Sequence, residues 1–270
     1  MTDGYAAAMA AAMPSDLNFI DSQPIIMVGI GLLVLMVVAA EIGIYRRRRR
    51  PEAGETHYAA AASVSLLGLL IGFTFNVALN RYDERRDLVV EEAAAITMAW
   101  ERSQLLPATA ASSAGALINR YIDARRGYFQ RGQVTDRQRA ADLPGRAVRQ
   151  QLWALARTIE ASGDKPLMAR AFIDALSGVD TVAAHRESMA REHIPLSVVY
   201  ALGLVAIITA ANLGYAGAMY GQVTRHANWA FFVLVVVALV VVIDLDRPKT
   251  GMVTVSQQPM QELEALLDAG

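Results

Sequence analysis

Apolar and polar positions follow two different rhythms along this chain. In four stretches the apolar residues run almost without interruption: Ile25 to Tyr45, broken only by Glu41; Tyr58 to Leu79, 22 residues without a charge; Leu196 to Gly217, also uncharged; and the Val- and Leu-rich run Trp229 to Ile243, with Ala227 and Asp244 at headgroup level. A helix rises about 1.5 Å per residue, so about 20 apolar residues cross the roughly 30 Å hydrocarbon layer. The pattern predicts membrane helices over 25–45, 58–79, 196–217 and 227–244. Buried strands or core helices of a water-soluble protein are the competing reading. Four such runs in one chain oppose it, because a backbone in hydrocarbon must satisfy its own hydrogen bonds and helices do so.

Between the second and third runs the period changes to three and four. From Arg81 to about Leu106 the second membrane helix is predicted to continue past the bilayer, with Tyr82, Val89, Ala93, Ile96 and Trp100 on one face and no Gly or Pro before Pro107. A second helix is expected from about Ser112 to Gln130, striped by Leu117, Ile118, Tyr121, Ile122, Tyr128 and Phe129. A third starts near Thr135, where Thr135-Asp136 offers a cap, or at Pro144, and runs through Val148, Leu152, Leu155 and Ile159 to Ser162-Gly163. A fourth opens on Pro166 and carries Leu167, Phe172, Leu176, Val179 and Val182 toward Pro195. Short joints in series predict an antiparallel bundle. The expected fold class is all-α: a four-helix transmembrane protein with an extramembrane helical bundle, residues 80–195, inserted between the second and third membrane helices. Around these lie a polar, Ala-rich segment 1–24, an Arg-rich loop 46–57, a short loop 218–226 and a tail 245–270. In the tail, Met260, Leu263, Leu266 and Leu267 predict a short amphipathic helix that docks on the bundle or on a neighbour.

Composition adds to this picture mainly by exclusion. Only 19% of residues are charged, against about a quarter in soluble domains, and mean hydropathy is +0.29. There is no cysteine, which excludes disulfides, thiolate metal sites and cysteine nucleophiles. A net charge of −1 removes nucleic acid as a partner. Residues 80–195 hold 17 basic and 15 acidic side chains and so favour neither sign.

Charge also bears on orientation. Arg46 to Arg50 stand in a connection of 12 residues, and short Arg-rich loops stay in the cytoplasm. The segment before the first span holds Asp3, Asp16 and Asp21 and no base, unlike a signal peptide, so the span is expected to be retained. This places 80–195 and the tail outside, in the periplasm of a bacterium whose inner membrane holds the chain. Arg81, Arg85, Arg86, Arg186, Arg191, Arg247 and Lys249 flank the other side and pull the opposite way.

Candidate chemistry is sparse. In RYDERRDLVVEE, Asp83, Asp87 and Glu91 recur every four residues and stack on one helical face, where like charges repel by a few tenths of a kcal/mol per pair. Salt bridges to Arg86 or to Arg120, Arg125 and Arg126 are the plainer reading; a cation site or the mouth of a pore is the sharper one. Arg81, Asp83, Arg85, Arg86, Asp87, Glu91, Glu92, Asp244, Asp246 and Arg247 form the candidate charged network, with Asp244 and Asp246 within expected reach of Arg81, Arg85 or Arg86. Ser63, Ser65, Gly68 and Gly72 give the second span a small-residue track. Thr74, Asn76, Asn80 and, from the third span, Asn212 are the candidate polar route, since an amide in hydrocarbon needs protein or water beside it. His185 and His193, eight apart, could share a face near Glu192, but His57, His185, His193 and His226 do not make a zinc signature. No triad, phosphate loop or paired carboxylates stand out, so neither an enzyme, a cofactor nor a metal centre is expected.

Two segments carry a resemblance. GFTFNVALNRYDERRDLVVEEAAAI at Gly72–Ile96, followed by TMAWERSQLLP, and DLDRPKTGMVTVSQQP at Asp244–Pro259 resemble the bestrophin-like family of bacterial membrane proteins. The resemblance covers most of the chain and implies signature roles for Arg81, Tyr82, Arg85, Arg86, Glu91, Glu92, Asp244, Asp246, Arg247 and Pro248. Where the family pattern reads Glu-Ala-Asn, this chain has Glu92-Ala93-Ala94, so that asparagine's hydrogen bond is missing. Kinship with bestrophins implies a pentameric anion channel whose large helical domain lies in the cytoplasm, contrary to the arginine count; no bestrophin neck motif is read in the second span. The expectation is a homo-oligomer in the lipid bilayer, channel-like, with an inorganic ion as cargo. The alternative is a non-conducting sensor or scaffold whose bundle binds a partner. Changing Asp87 or Arg86 is expected to disturb assembly or flux more than removing the tail after Met260.

Overall fold

A computed structural model describes residues 25–49, 57–130, 143–190, 192–218, 222–247 and 253–269. In chain order its helices are α1 (Ile25–Arg49), α2 (His57–Ser103), α3 (Ala108–Gln130), α4 (Leu143–Ser162), α5 (Pro166–Met189), α6 (Leu196–Gly217), α7 (Gln222–Asp246) and α8 (Gln258–Ala269). The described residues contain no strand, and the all-α class is as expected. Four of the helices are long and apolar enough to cross a membrane: Ile25–Arg49, Tyr58–Ser103, Leu196–Gly217 and Arg225–Asp246. The chain divides into two compact units, Met1–Ala78 with Ile194–Asp246 and Leu79–His193 with Arg247–Gly270.

In the first unit α1 packs on α6 and α7, and α6 on α7. Met36, Leu67, Leu202, Ala206 and Phe232 are buried together, while Val34, Val38, Leu204 and Val237 are about half exposed or more. That outward apolar surface suits lipid, where tight packing rather than water exclusion holds helices together. The packing is closest where α1 meets α6. A Cβ at Gly43 would stand 2.2 Å from the Ala211 carbonyl oxygen, and one at Gly214 would stand 2.1 Å from that of Ala40. Only glycine lets the two backbones approach this far.

The second unit has a core of its own. α3 packs on α4, α4 on α5 and α8 on α3, around Ile96, Ile118, Leu152, Phe172 and Leu176. Burying each such side chain stabilises by about 1.5–3 kcal/mol. Three expectations need correcting. α3 begins at Ala108, directly after Pro107, because the Pro107 carbonyl accepts the Ala111 N–H at 2.9 Å and so opens the first turn four residues early. Leu167 is 72% exposed, since the first turn of α5 precedes the packed stretch beginning at Ala169. The tail is part of the core: Met260, Leu263 and Leu267 are buried in it and Leu266 is not. The docking of this helix on the bundle is as expected, and cutting after Met260 removes the core residues Leu263 and Leu267. The Thr135-Asp136 cap lies outside the described residues.

Candidate functional site

Beyond Leu79, α2 shows two chemically different faces. On one, Asp83, Asp87 and Glu91 are all exposed, as are Asn80 and Glu84. With Leu88 and His185 they line an open depression of about 330 Å³. His185 Nε2 lies 3.7 Å from Glu84 Oε1. The carboxylates stand in a column rather than a ring, and among the described residues no group of His, Asp and Glu is arranged to hold a metal ion. The histidine pairing expected on α5 does not form on one face, because that helix ends at Met189 and His193 lies in the non-helical stretch before Pro195.

On the other face Glu92 is fully buried. Arg125 of α3 meets it as a fork, with Nε donating to Oε1 at 2.7 Å and Nη2 to Oε2 at 3.1 Å. Tyr121 donates its hydroxyl to Oε1 at 3.0 Å, and Arg186 of α5 donates Nη1 to Oε2. Arg186 Nη2 donates in turn to Gln257 Oε1 at 2.7 Å, next to α8. Arg126 on α3 pairs with Glu264 on α8. Around this centre Glu187 receives Arg146 at 3.1 Å and Arg149 at 3.4 Å, and Trp153 donates to Asp180 at 2.6 Å. Of the arginines expected to neutralise the exposed column, the three on α3 are engaged elsewhere: Arg125 on Glu92, Arg126 on Glu264, and Arg120 on Gln151 at 3.4 Å.

Electrostatics fix the protonation states of the centre. Burial works against the Glu92 charge, but Arg125 and Arg186 together outweigh it and hold the carboxyl below its ordinary range. Burial, with Glu92 beside it, pushes the Tyr121 hydroxyl well up, so it stays a neutral donor. Burial pulls Arg186 down, and Glu92 opposes that pull. The centre is an ionised carboxylate between two guanidinium groups, a structural cross-brace of α2, α3 and α5.

The remaining candidates scatter. Arg85 is buried and donates Nη2 to the Glu192 carbonyl at 2.9 Å, Arg81 is half-buried and Arg86 is exposed. Asp246 accepts the Ile194 N–H on both oxygens, at 3.1 and 2.9 Å, and closes the turn into α6; Asp244 and Arg247 are buried. In the membrane unit Thr74 is buried with its hydroxyl on the Leu70 carbonyl of its own helix at 2.8 Å, whereas Asn76 is exposed. Asn212 donates Nδ2 to Ser63 Oγ at 2.7 Å, near the start of α2, and Thr209 reaches the Ser63 carbonyl at 3.3 Å. At about 1.5 Å per residue Ser63 lies some 16 Å along α2 from Thr74, so one chain does not join these four residues into a route. Gly68 and Gly72 meet nothing within 4 Å. Sequence reasoning missed Tyr121, Arg125, Arg186 and Gln257 as the partners of Glu92.

Four helices long and apolar enough to cross a membrane, joined to a second all-helical unit, define an integral membrane protein. The chain belongs to the bestrophin-like family, whose domain model matches residues 25–260. Solved bacterial bestrophin homologues from Klebsiella pneumoniae share the fold. A tryptophan-to-alanine variant is 15% identical with a TM-score of 0.70, covering 91% of this chain and 97% of that one. An aspartate-to-alanine variant is 13% identical with a TM-score of 0.71, covering 89% and 97%. The form phased on zinc is 15% identical with a TM-score of 0.68, covering 88% and 96%. No curated protein matches the chain.

Proposed function

We propose that this chain assembles with copies of itself into a channel-like membrane protein in which α2 lines or abuts the route of an inorganic ion. One observation carries the reading. The membrane part of α2 leaves one stripe of small and polar positions uncovered: Ser65, Gly68, Gly72 and Asn76 are all exposed, at spacings of three and four. The same spacing leads along the helix to Asn80, Asp83, Asp87 and Glu91. Glycines facing lipid gain no packing, so a second copy or an aqueous path is the fitting neighbour of this stripe. Leu69, Phe73 and Val77, 55%, 62% and 45% exposed at spacings of four, stand beside the stripe and would narrow the route where they approach the axis. The acidic column would form its charged mouth, and no catalytic step is assigned.

One observation favours a partner-binding scaffold instead. Val90 and Met98 on α2 are about half exposed, an apolar continuation of the acidic face. Flux from liposomes of known lipid composition, read beside the oligomeric mass of the purified protein, separates the two. The channel reading expects an oligomer whose ion flux falls about tenfold or more in Asn76→Leu and Asp87→Ala at unchanged mass. A monomer without flux, or an oligomer whose flux neither variant alters, contradicts it.

Orientation follows from the arginines in this proposal: the end of α1 lies in the cytoplasm and the second unit in the periplasm, across a bacterial inner membrane. Because the chain has no cysteine, Thr158→Cys, at an exposed position of α4, provides a single label site. Reaction with an impermeant maleimide in intact cells supports this side; reaction only after lysis places the unit in the cytoplasm, where kinship with bestrophins would put it.

A further inference from the structure

The close crossing of α1 and α6 positions a charged group one turn further on. Gly43 and Gly214 let the backbones meet, and four residues after Gly43 the Arg47 guanidinium lies 5.3 Å from the ring centre of Tyr215, the neighbour of Gly214, with Nη1 3.5 Å from its hydroxyl. Arg49 lies 4.6 Å over the Tyr45 ring on the same helix. Arg225, at the start of α7, pairs with Glu41. Arg46, Arg48 and Arg49 are exposed, and Arg46 to Arg49 together fill the last turn of α1. The apolar part of α1 before Tyr45 is about 30 Å long, so these groups stand where hydrocarbon gives way to headgroups.

We propose that this collar of Arg46, Arg47, Arg48 and Arg49 with Tyr45 and Tyr215 binds the phosphodiester headgroups of anionic phospholipids. The arginines do more than mark topology. Guanidinium groups match phosphate oxygens with paired donors, and two of these four are already oriented by aromatic rings, which reduces the entropy lost when a headgroup is bound. The negative end of the α1 dipole supports the same charges. Among the described residues the acid placed at this end, Glu41, is committed to Arg225, which leaves the last turn of α1 with a surplus of positive charge facing the headgroup layer. A cluster of four arginines beside a membrane helix attracts anionic lipid, each basic group contributing about fivefold in affinity. The site lies wholly within the first unit and is independent of which side of the membrane it faces.

Native mass spectrometry of the purified full chain, titrated in detergent with phosphatidylglycerol or phosphatidylcholine, tests this directly. The wild type is expected to retain phosphatidylglycerol in preference to phosphatidylcholine. The triple substitution Arg46→Gln, Arg48→Gln, Arg49→Gln is expected to lower phosphatidylglycerol retention about tenfold or more and to leave phosphatidylcholine unchanged. These side chains are exposed, so folding is preserved, and unchanged helicity with unchanged oligomeric mass verifies it. The single variant Arg47→Gln is expected to lose part of the preference, and Arg120→Gln, exposed on α3, none. Inorganic phosphate at millimolar concentration is expected not to compete. Equal retention of the two lipids by the wild type, an undiminished preference in the triple variant, or displacement by phosphate alone would each overturn the proposal. None of these outcomes depends on whether the protein conducts.

Discussion

Glu91 and Glu92 are adjacent in the chain and lead opposite lives. Glu92 is wholly enclosed by Arg125, Arg186 and Tyr121, while Glu91 closes an exposed column that begins at Asp83. The membrane unit repeats the contrast with glycines: Gly43 and Gly214 are pressed against backbone, and Gly68 and Gly72 on α2 face open space. In both units α2 carries small or charged positions that the rest of the unit leaves uncovered. Packed positions account for how the chain folds, and uncovered ones mark where it is expected to meet something else.

The comparison is broken most severely at Glu92. Glu92→Gln keeps the shape but leaves two buried guanidinium groups without their carboxylate, and a loss of about 3–5 kcal/mol is expected in urea unfolding of the full chain followed by tryptophan fluorescence. The pH dependence carries the same signature. The Glu92 carboxyl sits below its ordinary value in the folded state, so its contribution is complete above the ordinary carboxylate range, near about 4.3, and disappears as pH falls through its depressed value. The acid-side loss of stability should be shallower in Glu92→Gln. Next comes Gly43→Ala, where a methyl group would need space held by the Ala211 carbonyl; about 1–3 kcal/mol is expected, read as a lower midpoint of thermal aggregation in detergent, whereas Gly31→Ala, exposed on the same helix with nothing within 4 Å, should leave that midpoint in place. Smallest is Glu91→Gln, expected to change urea stability by less than about 0.5 kcal/mol, because it relieves a like-charge contact with Asp87 and breaks no buried pair.

Much of this was legible in the amino-acid order. The spans announce themselves by uninterrupted apolar length, and α2 continues past Leu79 because nothing between Arg81 and Pro107 breaks a helix. The buried centre also leaves a signal in the amino-acid order. Glu92 sits between Val89 and Ile96 on the packing stripe of α2, Arg125 follows Ile118, Tyr121 and Ile122 on that of α3, and Arg186 follows Val179 and Ala183 on that of α5. A charged residue inside an apolar stripe implies a buried partner of opposite sign, and three such residues imply one another. Grouping Glu92 with Glu91 by adjacency hid this. Other features were not accessible from spacing alone. The join of Asn212 to Ser63 and the seating of α8 in the core depend on which helices become neighbours. The use of Asp246 to hold the Ile194 N–H depends on a chain end that no local pattern predicts.

The account turns on whether the uncovered stripe of α2 meets its counterpart in another copy. A single cysteine at Gly72→Cys, introduced into the cysteine-free chain and oxidised in native membranes, reads this without reconstitution. The proposal expects disulfide-linked dimers from Gly72→Cys and none from a control at Val237→Cys on the outward side of α7. Gly72→Cys protein that remains monomeric on oxidation, while its thiol stays open to maleimide, would contradict the proposed assembly.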